Sequence, residues 1–228
     1  MSAAKSAQPA GPAAESLKRD GITTVSLVIF CQSFPPLTIG GIALFLPLIR
    51  EDLQMTFSQA GLLSAAMTLT YALGQVPAGY LSDRFGPKRL FFIGILGSTL
   101  LSLNFGLIDT FRGAVINQTV AGPFRALMFV PGLTLISSWF PPHRRAMAMG
   151  LYTVGGFFGN IFLSIAGPIL VNQFGWRFPF IVFSVAGIGA AFLYLAFGKE
   201  KPRKEPRQRV SMLDAFRLFK YKIMWICG

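Results

Sequence analysis

A short polar stretch decides the fold: Gly79-Tyr-Leu-Ser-Asp83-Arg84-Phe-Gly86-Pro87-Lys88-Arg89-Leu90. It lies between two long apolar runs and contains one acidic and three basic side chains. Because Gly relaxes the steric limits on the backbone, two helices joined by so few residues can reverse direction here. Lys88 and Arg89 suit contact with anionic lipid headgroups. A solvated surface turn would carry the same charges, so the chemistry alone leaves both interpretations open.

The composition predicts an all-α membrane protein. Of the 228 residues, 53% are hydrophobic and only 13% are charged, whereas about a quarter of a soluble domain is charged. Several runs exceed the ~18 apolar residues that a helix needs to cross a bilayer. The predicted spans cover about 22–48, 58–79, 90–108, 113–140, 146–171 and 176–198.

The basic residues indicate a topology and not a nucleic-acid partner, although the net charge is +12. Seventeen of the 21 Lys and Arg residues lie in the N-terminal tail, the even-numbered loops and the segment after 198. Three lie in the odd-numbered loops, and Arg125 lies inside a span. Because cytoplasmic loops are enriched in Lys and Arg, the N-terminus and loop 80–90 are predicted to be cytoplasmic. A bacterial inner membrane is the expected location.

Polar side chains follow one face of spans one, two, four and five. In span two they recur at steps of four, three and four, which places them on one side of a helix. Spans three and six are nearly apolar, so four helices are predicted to line a hydrated cavity while two stand outside it. The candidate substrate-binding residues of this cavity are Arg125, Gln118, Gln32, Tyr71, Gln75 and Asn160.

Arg125 is the unusual member of this set. A charged side chain at mid-membrane costs about 2.5 to 3.5 kcal/mol on insertion scales, and no Asp or Glu lies in a predicted span to neutralise it. Arg125 either snorkels or donates to backbone carbonyls freed by prolines, or it faces the cavity and attracts an anion with its planar fork. For Gln32, Gln75 and Asn160 the alternative is hydrogen bonding between helices.

The polar stretch gains meaning from its spacing. The pattern G-x-L-x-D-R-x-G-x-[KR]-R between spans two and three resembles the signature loop of the major facilitator superfamily of transporters. Pro87 departs from that pattern, where the family more often has a basic residue. Two weaker similarities are Trp139-Phe-Pro-Pro with Arg145-x-x-Ala148-x-Gly150, and Gly175-Trp176-Arg177. The resemblance covers about residues 22–198.

The resemblance implies an N-terminal six-helix half, built as a 3+3 inverted repeat, of a twelve-helix carrier that works by alternating access. The expected cargo is a small solute, with an organic anion favoured by Arg125, and a coupling ion is a candidate partner. The loop would act as a gate that contacts the other half, through Gly79, Asp83, Arg84, Gly86, Lys88, Arg89 and Arg145. The rival hypotheses are a membrane sensor or assembly subunit with the carrier fold, and a truncated, transport-inactive product.

The remaining segments complete the predicted organisation. Residues 1–21 are expected to form a disordered cytoplasmic tail, 199–222 a basic linker with an interfacial helix, and 223–228 the start of a truncated seventh span. The partners expected are the lipid bilayer and a missing C-terminal six-helix half. No catalytic set, metal-spaced cluster or phosphate-binding loop occurs in the sequence, so neither an enzyme nor a cofactor or metal is predicted.

Overall fold

The structure, a computed structural model, describes residues 12–201. Its regular structure in that range is helical. The helices are α1 (Pro12–Gln32), α2 (Phe34–Leu44), α3 (Leu46–Asp52), α4 (Phe57–Phe85), α5 (Pro87–Phe105), α6 (Phe111–Trp139), α7 (Arg145–Phe174) and α8 (Arg177–Phe197). A single 3₁₀ turn, Pro142–Arg144, precedes α7. The predicted linker with an interfacial helix extends beyond the described range, and the seventh-span prediction lies wholly outside it.

The first predicted span is broken, as its prolines indicate. Helix α1 ends before Ser33, and prolines occupy the first turn of both α2 and α3. Proline suits that position because the first turn of a helix needs no backbone donor. The helix also begins at Pro12, well before the expected start at residue 22. Ala13, Ala14 and Glu15 are strong helix formers that extend it in this direction.

Helix α6 is continuous, although Gly122-Pro123 in its sequence would favour an interruption. It continues from Phe111 to Trp139 with Pro123 and Pro131 inside it. A proline removes one backbone hydrogen bond, but packed neighbours can keep a membrane helix continuous around it. Here α4 and α5 both pack along α6.

The polar stretch forms the tight reversal that its glycines indicate. Helix α4 ends at Phe85 and α5 begins at Pro87, so Gly86 alone connects them. Gly86 has a φ of 97°, a value that residues with a Cβ rarely adopt. Its N–H donates to the Ser82 carbonyl at 3.0 Å. Pro87 is the first residue of α5, which accounts for its presence where the family pattern has a basic residue.

The helix pairs repeat within the bundle. Helix α4 packs along α6 in the way that α1 and α2 pack along α7, and α5 packs on α6 as α8 packs on α1 and α2. Taking the broken first span as one unit, these pairs are related by exchanging the first three spans with the last three. This is the contact pattern of the predicted inverted repeat.

Glycine permits the closest of these approaches. A Cβ at Gly122 would lie 2.6 Å from the backbone nitrogen of Tyr71 on α4. A Cβ at Gly159 would overlap the Ser33 carbonyl between α1 and α2. Gly155 and Gly159, a small-xxx-small pair on α7, therefore permit close contact with the first span.

Four helical stretches of the described range are long and apolar enough to cross a membrane: Arg19–Leu44, Phe111–Trp139, Pro142–Phe174 and Arg177–Phe197. Helices α4 and α5, at 29 and 19 residues, are also long enough at about 1.5 Å per residue. Their polar and basic side chains lower their hydropathy, and they join the bundle through α6.

A cluster of charged residues links three elements at the end of the bundle opposite Gly86. Arg177, the first residue of α8, donates to Asp52 at 2.5 Å and to Asp109 at 2.7 Å. It also donates to the Ile108 carbonyl at 3.2 Å. The cluster therefore links α3, the α5–α6 connection and α8. Because these groups are partly exposed, each pair contributes about 0–1 kcal/mol.

Candidate functional site

Arg125 lies in the interior of the bundle, on the middle of α6. Its side chain is 3% exposed. Its Nη1 donates to Gln118 Oε1 at 3.4 Å, the long end of the hydrogen-bond range. Among the described residues it forms no salt bridge, and its Nε has no partner. A buried guanidinium thus meets only a neutral acceptor, which leaves most of its charge uncompensated.

Gln118, which accepts this hydrogen bond, belongs to a chain of hydrogen-bonded amides. Gln118 Nε2 donates to Asn117 Oδ1 at 3.2 Å. Asn117 Nδ2 then donates to Asn104 Oδ1 at 2.9 Å and to the Leu101 carbonyl at 3.0 Å. Gln118 and Asn117 are both buried, whereas Asn104 at the end of α5 is exposed. The chain therefore runs from the exposed end of α5 to the charge on α6.

Tyr71 approaches this region from α4, and Tyr71 and Gln75 are both half-buried. The Tyr71 ring packs edge-on to Phe129, one turn beyond Arg125, with centroids 6.4 Å apart. Its phenol is near enough to Arg125 for an electrostatic interaction. The structure thus brings together Arg125, Gln118 and Tyr71 of the predicted set.

Gln32 and Asn160 form a separate pair at the α1–α7 contact. Gln32 is 8% exposed and its Oε1 has no partner among the described residues. A Cβ at Gly156 would lie 3.9 Å from Gln32 Nε2, and Asn160 Nδ2 donates to the Gly156 carbonyl at 3.4 Å. Both amides therefore flank Gly156. No hydrogen bond joins either of them to Arg125 in the described range.

Exposed polar side chains form one stripe on α4, at Ser64 and Thr68, and one on α7, at Thr153, Asn160 and Ser164. Thr68 donates to the Ser64 carbonyl at 3.0 Å, and Ser164 donates to the Asn160 carbonyl at 2.9 Å. Each hydroxyl thus bonds within its own helix, as Ser and Thr commonly do in membrane helices. These exposed hydroxyl oxygens can still accept hydrogen bonds from groups outside the helix.

The predicted gate residues lie around the α4–α5 reversal. Asp83, Arg84 and Arg89 are exposed, and Lys88 is half-buried. Arg84 donates to the Tyr80 hydroxyl at 3.5 Å and lies over the Phe85 ring at 5.3 Å. None of the salt bridges among the described residues involves Asp83.

The remaining two gate positions lie on α4 and α7. Gly79 faces α6, because a Cβ there would lie 3.8 Å from a Val130 methyl group. Arg145 begins α7 and is exposed.

Sequence reasoning missed Asn117 and Asn104 as members of the site. Each amide is visible in the sequence inside an otherwise apolar run. Asn117 lies one residue before Gln118 and therefore points to a different side of the same helix. Their relation depends on the packing of α5 against α6, which periodicity within one helix does not show.

The profile of the Major Facilitator Superfamily matches residues 28–227. The chain therefore belongs to the Major Facilitator Superfamily, and it is a multi-pass membrane protein. The predicted family and the all-α six-helix bundle are thereby confirmed.

Two bacterial transporters are among the relatives of this chain. The chain is 32% identical over 157 residues to the D-galactonate transporter of Escherichia coli O6:H1, with 68% of this chain and 35% of that protein covered. It is 29% identical over 165 residues to the hexuronate transporter of Bacillus subtilis, covering 69% of this chain and 37% of the relative. The chain thus spans a little over one third of the length of these relatives.

The fold has a solved counterpart. A crystal structure of a bacterial homologue of the human lysosomal transporter Spinster, inward-facing and unoccupied, superposes with a TM-score of 0.68 at 21% identity. The match covers 93% of this chain and 50% of that one. It shows the fold alone.

Proposed function

We propose that the full-length protein carries a small organic anion across the membrane by alternating access, with Arg125 as the residue that binds the anion. The observation that carries this proposal is the buried guanidinium with a single, long hydrogen bond to a neutral amide. An anion at this site would supply the missing charge, and a guanidinium can hold a carboxylate through two parallel hydrogen bonds.

The relatives support a sugar acid as the cargo. D-galactonate and hexuronate each combine a carboxylate with several hydroxyl groups. Arg125, oriented by Gln118, would bind the carboxylate, while Tyr71, Gln75, Gln32 and Asn160 would offer hydrogen bonds to the hydroxyls.

The test is uptake into proteoliposomes that contain the full-length protein. D-galactonate and D-glucuronate are the anionic probes, and galactose is the neutral control. Arg125→Gln and Arg125→Lys are expected to abolish anion uptake, because Gln lacks the charge and Lys lacks the fork. Arg112→Gln is the matched control, since Arg112 is an exposed arginine at the start of the same helix. Retained anion affinity in both Arg125 variants would contradict the proposal.

The α4–α5 reversal is proposed to act as the cytoplasmic gate. None of the salt bridges in the described range involves Asp83, and its exposed carboxylate can contact a second set of helices in the full-length carrier. Asp83→Asn is expected to slow D-galactonate uptake several-fold while the amount of protein in the membrane stays near normal. Glu51→Gln, at an exposed acidic residue of α3, is the control. An unchanged uptake rate in Asp83→Asn would refute the gate.

A further inference from the structure

The amide chain beside Arg125 has a direction that the structure fixes. A backbone carbonyl can only accept, so the atom of Asn117 that lies 3.0 Å from the Leu101 oxygen must be its amide nitrogen. The second hydrogen of that nitrogen points to Asn104 Oδ1 at 2.9 Å. Asn117 therefore turns its oxygen toward Gln118.

The orientation of the Asn117 amide fixes that of Gln118, and so determines which Gln118 atom faces Arg125. Gln118 Nε2 donates to the Asn117 oxygen at 3.2 Å, so Gln118 must present its own oxygen to Arg125. The reversed amide would place an N–H₂ group against the guanidinium, donor against donor. Gln118 and Asn117 are 1% and 5% exposed, so water has little access to take over either role.

We propose that Asn117 and Asn104 are positioning residues for anion binding: they fix the Gln118 amide so that its oxygen orients the Arg125 guanidinium toward the substrate. This inference rests on the proposed function of Arg125. It assigns a role to two residues that do not themselves touch the anion. A neutral acceptor orients the guanidinium without neutralising it, so the positive charge stays available to the cargo.

Because the hydrogen bonds between these amides run in one direction, Asn→Asp is expected to be harmful at Asn117 and tolerated at Asn104. Asn104 only accepts from Asn117, so Asn104→Asp keeps the acceptor at the exposed end. Asn117 must donate to Leu101 and Asn104, and Asn117→Asp loses both of those donors. Asn117→Leu removes the whole link without adding a charge, and leucine is well tolerated in membrane helices.

The experiment measures KM and kcat for D-galactonate uptake by the full-length protein, and D-galactonate binding by thermal shift. Asn117→Asp and Asn117→Leu are each expected to raise KM at least tenfold with kcat changed less than twofold. Asn104→Asp, which keeps the acceptor for Asn117, is expected to raise KM less than Asn117→Asp does. Thr119→Ala, an exposed hydroxyl on the same helix, is the control.

The outcomes separate the two proposals. Unchanged KM in Asn117→Leu, with uptake still abolished by Arg125→Gln, would overturn the positioning role and leave the anion site standing. Equal damage from Asn104→Asp and Asn117→Asp would also overturn it, because the direction of the chain would then not matter. Anion uptake retained in Arg125→Gln would overturn the proposed function itself. If an Asn117 variant fails to reach the membrane, Gln118→Leu tests the same link one step nearer the charge.

Discussion

Two polar regions of the bundle contrast in how their hydrogen bonds are arranged. The buried chain from Asn104 to Arg125 joins α5 to α6 and ends on a charge with no ionic partner among the described residues. In the exposed stripes of α4 and α7, most side chains bond back to their own helix. The first arrangement depends on helix packing, whereas the second survives in each helix alone.

Substitutions in the two regions are expected to differ in how many other polar groups they leave without a hydrogen bond. A change in the buried chain leaves another polar group unsatisfied in a dry environment, at a cost of about 1–3 kcal/mol per group. A change in the stripes removes a group whose neighbours lose little. We therefore expect the buried chain to govern affinity and selectivity for anions, and the stripes to adjust affinity modestly.

The largest expected effect is on the packing that brings the two regions together. In Gly122→Ala, the new methyl group would meet the α4 backbone at Tyr71, 2.6 Å away. Because that backbone cannot rotate aside, overpacking should cost on the order of 3 kcal/mol. The melting temperature of the detergent-solubilised protein is expected to fall by several degrees. Gly189→Ala is the control, since nothing lies within 4 Å of its new methyl group, and an equal loss there would contradict the packing account.

Gln118→Glu is expected to lower the affinity for D-galactonate strongly while it changes stability less than Gly122→Ala does. The new carboxylate would pair with Arg125 and compensate the charge that the anion would otherwise meet. D-galactonate affinity is expected to fall more than tenfold while the melting temperature stays within a few degrees of the wild-type value. Gln173→Glu, exposed near the end of α7, should change neither property. Undiminished affinity in Gln118→Glu would show that the anion binds elsewhere.

The smallest effect is expected in the exposed stripes. Asn160 donates only to the carbonyl of its own helix, at 3.4 Å, so Asn160→Ala leaves no buried group without a partner. The KM for D-galactonate is expected to rise about threefold, the scale of one modest interhelical or substrate hydrogen bond. A tenfold rise would place Asn160 at the centre of the site. The exposed stripes would then matter as much for affinity as the buried chain does.

Much of the fold follows from patterns local in sequence. Hydropathy and charge placed the spans, and Pro35-Pro36 marked the break that begins at Ser33. The Gly86 reversal was visible as a motif. The continuity of α6 through Pro123 was not visible, because it depends on the helices packed against it.

The site was predictable in part for the same reason. Gln118 and Arg125 are seven residues apart on one helix, and periodicity alone placed them on one face. Asn104 lies on another helix, so its bond to Asn117 depends on the rotation of α5 against α6. The burial of Arg125 likewise follows from close packing in the bundle, which a face assignment does not reveal.

The central claim is that the uncompensated charge of Arg125 binds the anion. The most direct measurement is the dissociation constant of D-galactonate for the purified full-length protein and its Arg125→Gln variant, by isothermal titration calorimetry with galactose as the neutral comparison. The expected result is measurable D-galactonate binding in the wild type, its loss in the variant, and no binding of galactose to either. Equal D-galactonate affinity in both proteins would contradict it.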